Sequence, residues 1–72
     1  MNALALGAAL TRASVHAVVV DSLRVTVHDP DGTQRGSVLV FHDCALLVGF
    51  EPGELRGIVR GVLACSCLPV EL

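Results

Sequence analysis

The segment Leu23–His28 alternates strictly between apolar and polar residues, with Leu23, Val25 and Val27 at the apolar positions. Successive side chains of a β-strand point to opposite faces of the sheet. The alternation therefore predicts a strand with one buried face and one solvated face.

Three other segments have the composition of strands. Val15–Val20 is rich in β-branched residues, and Ser37–His42 and Ala45–Phe50 are largely apolar. The near-continuous apolar run in Ser37–His42 predicts a central strand or a strand covered on both faces. Pro30-Asp31-Gly32, inside the turn-forming segment His28–Gly36, predicts the reversal of a hairpin.

In the C-terminal part of the chain, apolar residues repeat with a longer period than in the strands. Apolar residues recur there at the three- and four-residue spacing of one helical face: Leu55, Ile58, Val59, Val62 and Leu63. The pattern predicts a helix from about Pro52 to Cys65. Pro52 suits its first turn, where the missing N–H is no loss, and Pro69 prevents a continuation.

The N-terminal segment favours a short helix. Asn2 is a suitable cap, and a helix to about Ala13 places Leu6, Leu10 and Ala13 on one side. The sequence thus predicts a single α+β domain spanning residues 1–72, in the order α-β-β-β-β-α. Its sheet is a small antiparallel meander of three to four strands, with the C-terminal helix packed on one face.

The chain has more apolar residues than a small domain easily buries. Hydrophobic residues make up 53% of its 72 residues, with two Phe and no Trp or Tyr. A chain of this length buries only about 60% of its unfolded surface. We therefore expect a homo-oligomer or a bound protein partner. The apolar runs fall short of the ~20 residues that a membrane-spanning helix needs.

The charge pattern argues against nucleic-acid binding and against export. The net charge is −2, with five Arg and no Lys, so there is neither the basic cluster nor the aromatic platform that nucleic acids require. Met1–Ala17 contains an apolar run, but its first basic residue, Arg12, comes after that run. Secretory signals have the opposite order. We expect a cytoplasmic protein, or a virion component if the chain is phage-derived.

Four soft ligands form a candidate zinc site of the Cys₃His type: His42, Cys44, Cys65 and Cys67. Each pair is separated by one residue, whereas the common zinc knuckle has two or more. His42 and Cys44 would point the same way in a strand. In the alternative interpretation, Cys44 and Cys65 are small buried hydrophobic residues and Cys67 belongs to the tail. We expect no metal and no cofactor.

No catalytic set is apparent in the sequence. His16, His28 and His42 lack an accompanying nucleophile motif, and most Asp residues lie in predicted turns, where they bind local backbone. We expect no enzymatic activity.

The glycines of the C-terminal helix have a different significance. Gly57 and Gly61 project away from the apolar stripe, together with Ala64 and beside Arg56 and Arg60. A strip of small residues permits the close approach of another backbone. These five residues are our candidate partner-binding site. The alternatives are that exposed glycines are merely tolerated, or that the strip receives the first helix of the same chain.

Several short motifs resemble the BldB-like family of actinobacterial proteins, a domain of unknown function. Val25–Gly32 and Val38–Phe41 are similar to its hairpin, and Phe50–Leu55 with Gly61-Val62 is similar to its helix entry. Leu55 stands where that pattern has Trp. The resemblance covers about the C-terminal two-thirds and implies a non-enzymatic regulatory protein that binds a helix-turn-helix regulator.

The function that we predict is protein–protein binding without catalysis. One alternative is a small phage or viral accessory protein, such as a capsid or head-tail assembly component or an inhibitor of a host enzyme. Neighbouring genes would separate these two, since one predicts a regulator gene and the other a phage structural operon. The other alternative is the Cys₃His zinc module.

Overall fold

The computed structural model describes residues 2–65 and 70–71. Two helices and five strands follow one another along the chain: α1 (Ala3–Arg12), β1 (His16–Val19), β2 (Arg24–His28), β3 (Gln34–Val40), β4 (Ala45–Val48), α2 (Glu54–Cys65) and β5 (Val70–Glu71). The predicted α+β class, with a helix at each end of an antiparallel meander, is confirmed. Pro69 lies outside the described residues.

The sheet has the order β1-β2-β3-β4-β5, so each strand lies beside its neighbours in sequence. The first four strands pair antiparallel, and β5 pairs parallel to β4. The sequence analysis missed β5, because a two-residue strand is too short to show a period. β3 lies at the centre of the sheet, as its apolar run predicted.

The register separates the sheet into an inner face and an outward face. Directly paired residues share a face, and the row Val19–Val25–Val38–Leu47 lies on the inner face. The next row belongs to the outward face and consists of Val18, Thr26, Ser37 and Val48. Val25 and Val38 are fully buried.

Both helices contribute to one core against the inner face. Leu6 and Leu10 of α1 and Val59 and Leu63 of α2 are fully buried. Leu55 and Val62 pack partly against the same core. The predicted stripe of α2 is thus largely confirmed, except that Ile58 remains 37% exposed.

The N-terminal helix has a side-chain cap at its start and a backbone cap at its end. The Asn2 side chain accepts a hydrogen bond from the Ala5 N–H at 2.8 Å, as predicted. At the other end, Val15 N–H donates to the Leu10 carbonyl and Ser14 N–H donates to the Thr11 carbonyl. This is the Schellman arrangement, and it holds Ser14 at φ 65°, a region that favours glycine. Ala13 is an exposed cap residue and not part of the buried side, because the helix ends at Arg12.

The hairpin between β2 and β3 reverses at Pro30-Asp31-Gly32, as predicted. Asp29 N–H donates to the Thr33 carbonyl, which ends the turn early, so β3 begins at Gln34 and not at Ser37. The Thr33 N–H donates to the Asp31 carboxylate and lowers its pKa below the ordinary value. A carboxyl whose pKa is lower in the folded state stabilises the fold above its unfolded pKa. That contribution is lost as the pH falls through the folded pKa.

Three predicted strand ends differ from the structure. Leu23 is 53% exposed, because it belongs to the turn before β2 rather than to the alternating strand. β3 ends at Val40, so His42 lies in the connection to β4. β4 ends at Val48, and the chain then turns at Gly49, whose φ is 78°.

Phe50, predicted as the end of a strand, instead packs over Gly36. A Cβ atom at Gly36 would lie 2.7 to 2.8 Å from three ring atoms of Phe50. Glycine is therefore required at this position by the close approach of the ring, which also attaches the segment before α2 to the sheet.

Within the described residues, neither helix is long and apolar enough to cross a membrane.

We predict that Ser14→Gly raises the free energy of unfolding by about 1 kcal/mol, because glycine adopts positive φ without steric cost. Ser22→Gly is the matched control. Ser22 lies in an exposed turn and does not have a positive φ, so its replacement should not stabilise the protein. Urea unfolding followed by circular dichroism measures both. Equal effects of the two substitutions would show that the cap carries no strain.

Gly36→Ala should lower the free energy of unfolding by about 1–3 kcal/mol, because the new methyl group displaces the Phe50 ring. In a Phe50→Ala background the same change should cost much less. Gly57→Ala is the control. A Cβ atom there meets nothing within 4 Å, so alanine in the helix should stabilise by about 1 kcal/mol. A Gly36→Ala cost unchanged by removal of the ring would contradict this account.

Candidate functional site

Four of the five residues of the predicted helix site are exposed. Gly57, Arg60, Gly61 and Ala64 are accessible to solvent, whereas Arg56 is half-buried. A Cβ atom at Gly57 or Gly61 would have nothing within 4 Å, so α1 does not fill the strip. The strip is a free surface of α2.

A groove runs between the two helices. It has a volume of about 470 Å³ and is lined by Ala9, Arg12, Ile58, Gly61, Val62 and Cys65. Of the five predicted site residues, Gly61 alone borders it. The strip on α2 therefore lies mainly on a convex helix surface, which offers a partner no enclosing contacts.

The three described candidate zinc ligands, His42, Cys44 and Cys65, are not brought together. The His42 side chain is 94% exposed and lies beside Asp43, with Nδ1 3.9 Å from Oδ1. Cys44 is half-buried, and Cys65 is exposed near the end of α2, so Cys65 is not the buried residue of the alternative interpretation. Cys67 lies outside the described residues. The described side chains contain no group of three or more His, Cys, Asp or Glu residues arranged to hold a metal ion.

His28 has a structural role in the hairpin. Its Nδ1 lies 3.2 Å from the Gly32 carbonyl oxygen, and its Nε2 lies 2.8 Å from the Thr26 hydroxyl. A carbonyl only accepts, so in the neutral ring Nδ1 donates and Nε2 accepts from Thr26. The imidazole thus connects the turn to the middle of β2, and both of its nitrogens are engaged.

The outward face of the sheet is an apolar feature that was not predicted from the sequence. Val18 and Val48 end one row and are 53% and 43% exposed, whereas Thr26 and Ser37 between them are buried. The second row is Arg24–Leu39–Leu46, and both leucines are half-buried.

Val20 extends this surface beyond β1. It is 52% exposed, and its N–H donates to the Arg24 carbonyl, which continues the β1–β2 register. It therefore lies on the same side as Val18.

A signal for this face was present in the sequence. Val38–Phe41 and Ala45–Val48 are apolar at both strand parities, which indicates two apolar faces. The structure covers one of them with helices. Neither of the two described helices lies on the outward face, which is defined by Val18, Val20, Leu39, Leu46 and Val48 around Thr26 and Ser37.

Comparison with known proteins gives no relative for this chain: no family model, no curated protein and no solved structure matches it. The similarity to the BldB-like family therefore rests on the quoted motifs alone.

We predict that the full chain, purified after growth in zinc-supplemented medium, carries far less than one zinc per chain by elemental analysis. The reason is that His42 and Cys65 lie on separate exposed elements. Cys65→Ser should leave the thermal unfolding midpoint unchanged. Stoichiometric zinc, lost together with folding in Cys65→Ser, would establish the zinc module instead.

Proposed function

We propose that this chain is a non-enzymatic protein-binding module whose outward sheet face receives an apolar surface of another protein. The observation that carries the proposal is the exposure of Val18, Val20 and Val48 on one uncovered face of the sheet. The proposed function is the one predicted from the apolar surplus, but the surface is different, since the surplus lies on the sheet as well as on α2.

The composition of the face supports binding over simple solvation. An antiparallel sheet with one solvated face usually places polar residues there. Here the row ends are valines and the second row contains two leucines. Burying apolar surface contributes about 25 cal/mol per Å², so covering this face favours association. Contiguous apolar patches mark interaction sites more often than isolated apolar residues do.

Arg24 indicates the polar chemistry of the partner. It lies in the second row beside Leu39, is exposed, and takes part in none of the ion pairs among the described residues. A partner with an apolar surface and a carboxylate at its rim fits this arrangement. The BldB-like resemblance suggests a helix-turn-helix regulator as that partner, and the chemistry of the face is compatible with a partly apolar helix.

The strip on α2 is the second candidate surface for the same function. Gly61 is exposed and has space for a larger side chain, which supports access by another backbone. It ranks second because exposed small residues provide little apolar area to bury.

The test compares single substitutions on the two surfaces. Val48→Lys places a charge on the outward face, and Ile58→Lys, at a similar exposure on α2, is the matched control. Gly61→Leu fills the strip on α2. Each variant is used as bait in extracts of the source organism, and a partner that copurifies with the wild type is then titrated as a purified protein.

We expect Val48→Lys to weaken the purified partner's affinity by roughly tenfold or more, about 1.4 kcal/mol. Ile58→Lys and Gly61→Leu should retain the wild-type affinity, and all three should remain folded by circular dichroism. Loss of binding in Gly61→Leu with retention in Val48→Lys would assign the function to α2. A partner that binds all variants equally would refute both surfaces.

A further inference from the structure

Strand β1 forms one edge of the sheet. Val20 N–H donates to the Arg24 carbonyl, so residues 20 and 24 occupy a hydrogen-bonding position of the antiparallel ladder, with one of its two bonds formed. In such a ladder, hydrogen-bonded and non-hydrogen-bonded pairs alternate. Val18 and His16 therefore bond to β2, and the N–H and C=O groups of Ala17 and Val19 point away from the sheet.

These outward groups are available in the described structure. No backbone hydrogen bond to Ala17 or Val19 from outside the strand ladder occurs among the described residues. The next N–H groups that could point outward, those of Val15 and Asp21, already form hydrogen bonds within the chain. Val15 N–H donates to the Leu10 carbonyl, and Asp21 N–H donates to the Arg24 carbonyl. The edge therefore offers two N–H groups, with one residue between them.

Three of the usual protections of an edge strand are missing from β1, although the strand is itself short, with four residues. Natural edges are blunted by charged residues, prolines or bulges. His16–Val19 contains no Asp, Glu, Lys, Arg or Pro, and its pairing with β2 has no irregularity. Val18 is 53% exposed on the outward face, whereas Val19 packs a methyl group close to Gly7 of α1 and remains 38% exposed.

We propose that two copies of this chain pair antiparallel through β1, with Val18 of one copy opposite Val18 of the other. In this register Ala17 lies opposite Val19 of the second copy, and each pair exchanges two hydrogen bonds. All four free N–H groups are then satisfied. A shift of the register by two residues in one direction would place Ala17 opposite Asp21, and a shift in the other direction would place Val19 opposite Val15. The N–H groups of Asp21 and Val15 are already engaged within the chain.

The shape of the edge supports a second copy as the occupant. A concavity of about 420 Å³ adjoins β1 at its His16 end and reaches from Thr11 to the β2–β3 turn. The proposed register places Val20 of the second copy opposite His16, so its exposed β1–β2 turn lies next to this concavity. Val20 and Leu23, which that turn carries, are both exposed in the single chain.

Hydrogen-bonding chemistry fits the same arrangement. His16 lines the concavity, and the β1–β2 turn of the second copy carries Asp21, whose carboxylate can accept a hydrogen bond. Asp29 also lines it, but its carboxylate is 3.2 Å from Arg35 and is paired within the chain. The pairing joins two five-stranded sheets into one and places both outward faces side by side. The inference rests on the proposed function only in this last consequence.

The test exploits the two-fold axis at Val18. Lysine at this position places two like charges directly opposite each other, and so does glutamate; like charges that face each other across two strands are destabilising. Val18→Lys and Val18→Glu should therefore each weaken dimerisation of the full chain more than tenfold. An equimolar mixture should recover the dimer, because opposite charges then meet at the axis. Light scattering after size exclusion measures the masses.

Two further variants separate this pairing from other contacts. Ala17→Pro removes one outward N–H, and with it two of the four bonds in the dimer, but no bond within the chain. It should weaken the dimer and leave circular dichroism unchanged. Val48→Lys, which tests partner binding, should retain the dimer, so failure of the partner site is distinguishable from failure of the edge pairing.

A wild-type chain that remains monomeric at its highest soluble concentration would overturn the proposal, even if an extended peptide from another protein bound to β1. A dimer that persists in Val18→Lys and Val18→Glu, or a mixture that stays monomeric, would likewise overturn it.

Discussion

Packing of both helices against the same face of the sheet determines the rest of the structure. Leu6 and Leu10 from one end of the chain and Val59 and Leu63 from the other meet over the inner face. This layer excludes water from Val25 and Val38 and fixes which strand parity is buried. Because the same chain has no third helix among its described residues, the other face of the sheet stays uncovered.

The segments after α1 and before α2 determine how the chain passes between the helices and the sheet. The Schellman motif, with Ser14 at positive φ, directs the chain from α1 into β1 and leaves that strand at the edge. Phe50 over Gly36 brings the chain back toward the sheet before α2 begins. The outward face and the open edge meet at β1, where Val18 belongs to both.

Much of the architecture was predictable from side-chain periodicity. The alternation of Val25 and Val27 and the helical spacing of Val59 and Leu63 each report a buried face, and all four residues are fully buried. The start of α1 was predictable because Asn2 is a capping residue. The apolar runs of β3 and β4 indicated two apolar faces. Periodicity within one strand does not indicate which of its faces the helices cover.

The remaining features depend on relations between distant residues. The positive φ of Ser14 could not be predicted from the sequence, because serine is common at helix ends and glycine is the usual residue at positive φ. The free N–H groups of β1 follow from the register of Val20 against Arg24, which no local pattern encodes. His42 and Cys44, two of the candidate ligands in the alternative zinc interpretation, do not share a strand face, because β3 stops at Val40.

The most direct test of the central claim is a map of methyl chemical shifts of Val, Leu and Ile residues as the binding partner is added. The account predicts that Val18, Val20 and Val48 shift strongly, while Val25 and Val38 on the inner face remain unchanged. Shifts confined to Ile58 and Val62 on α2, with the outward valines unaffected, would contradict it.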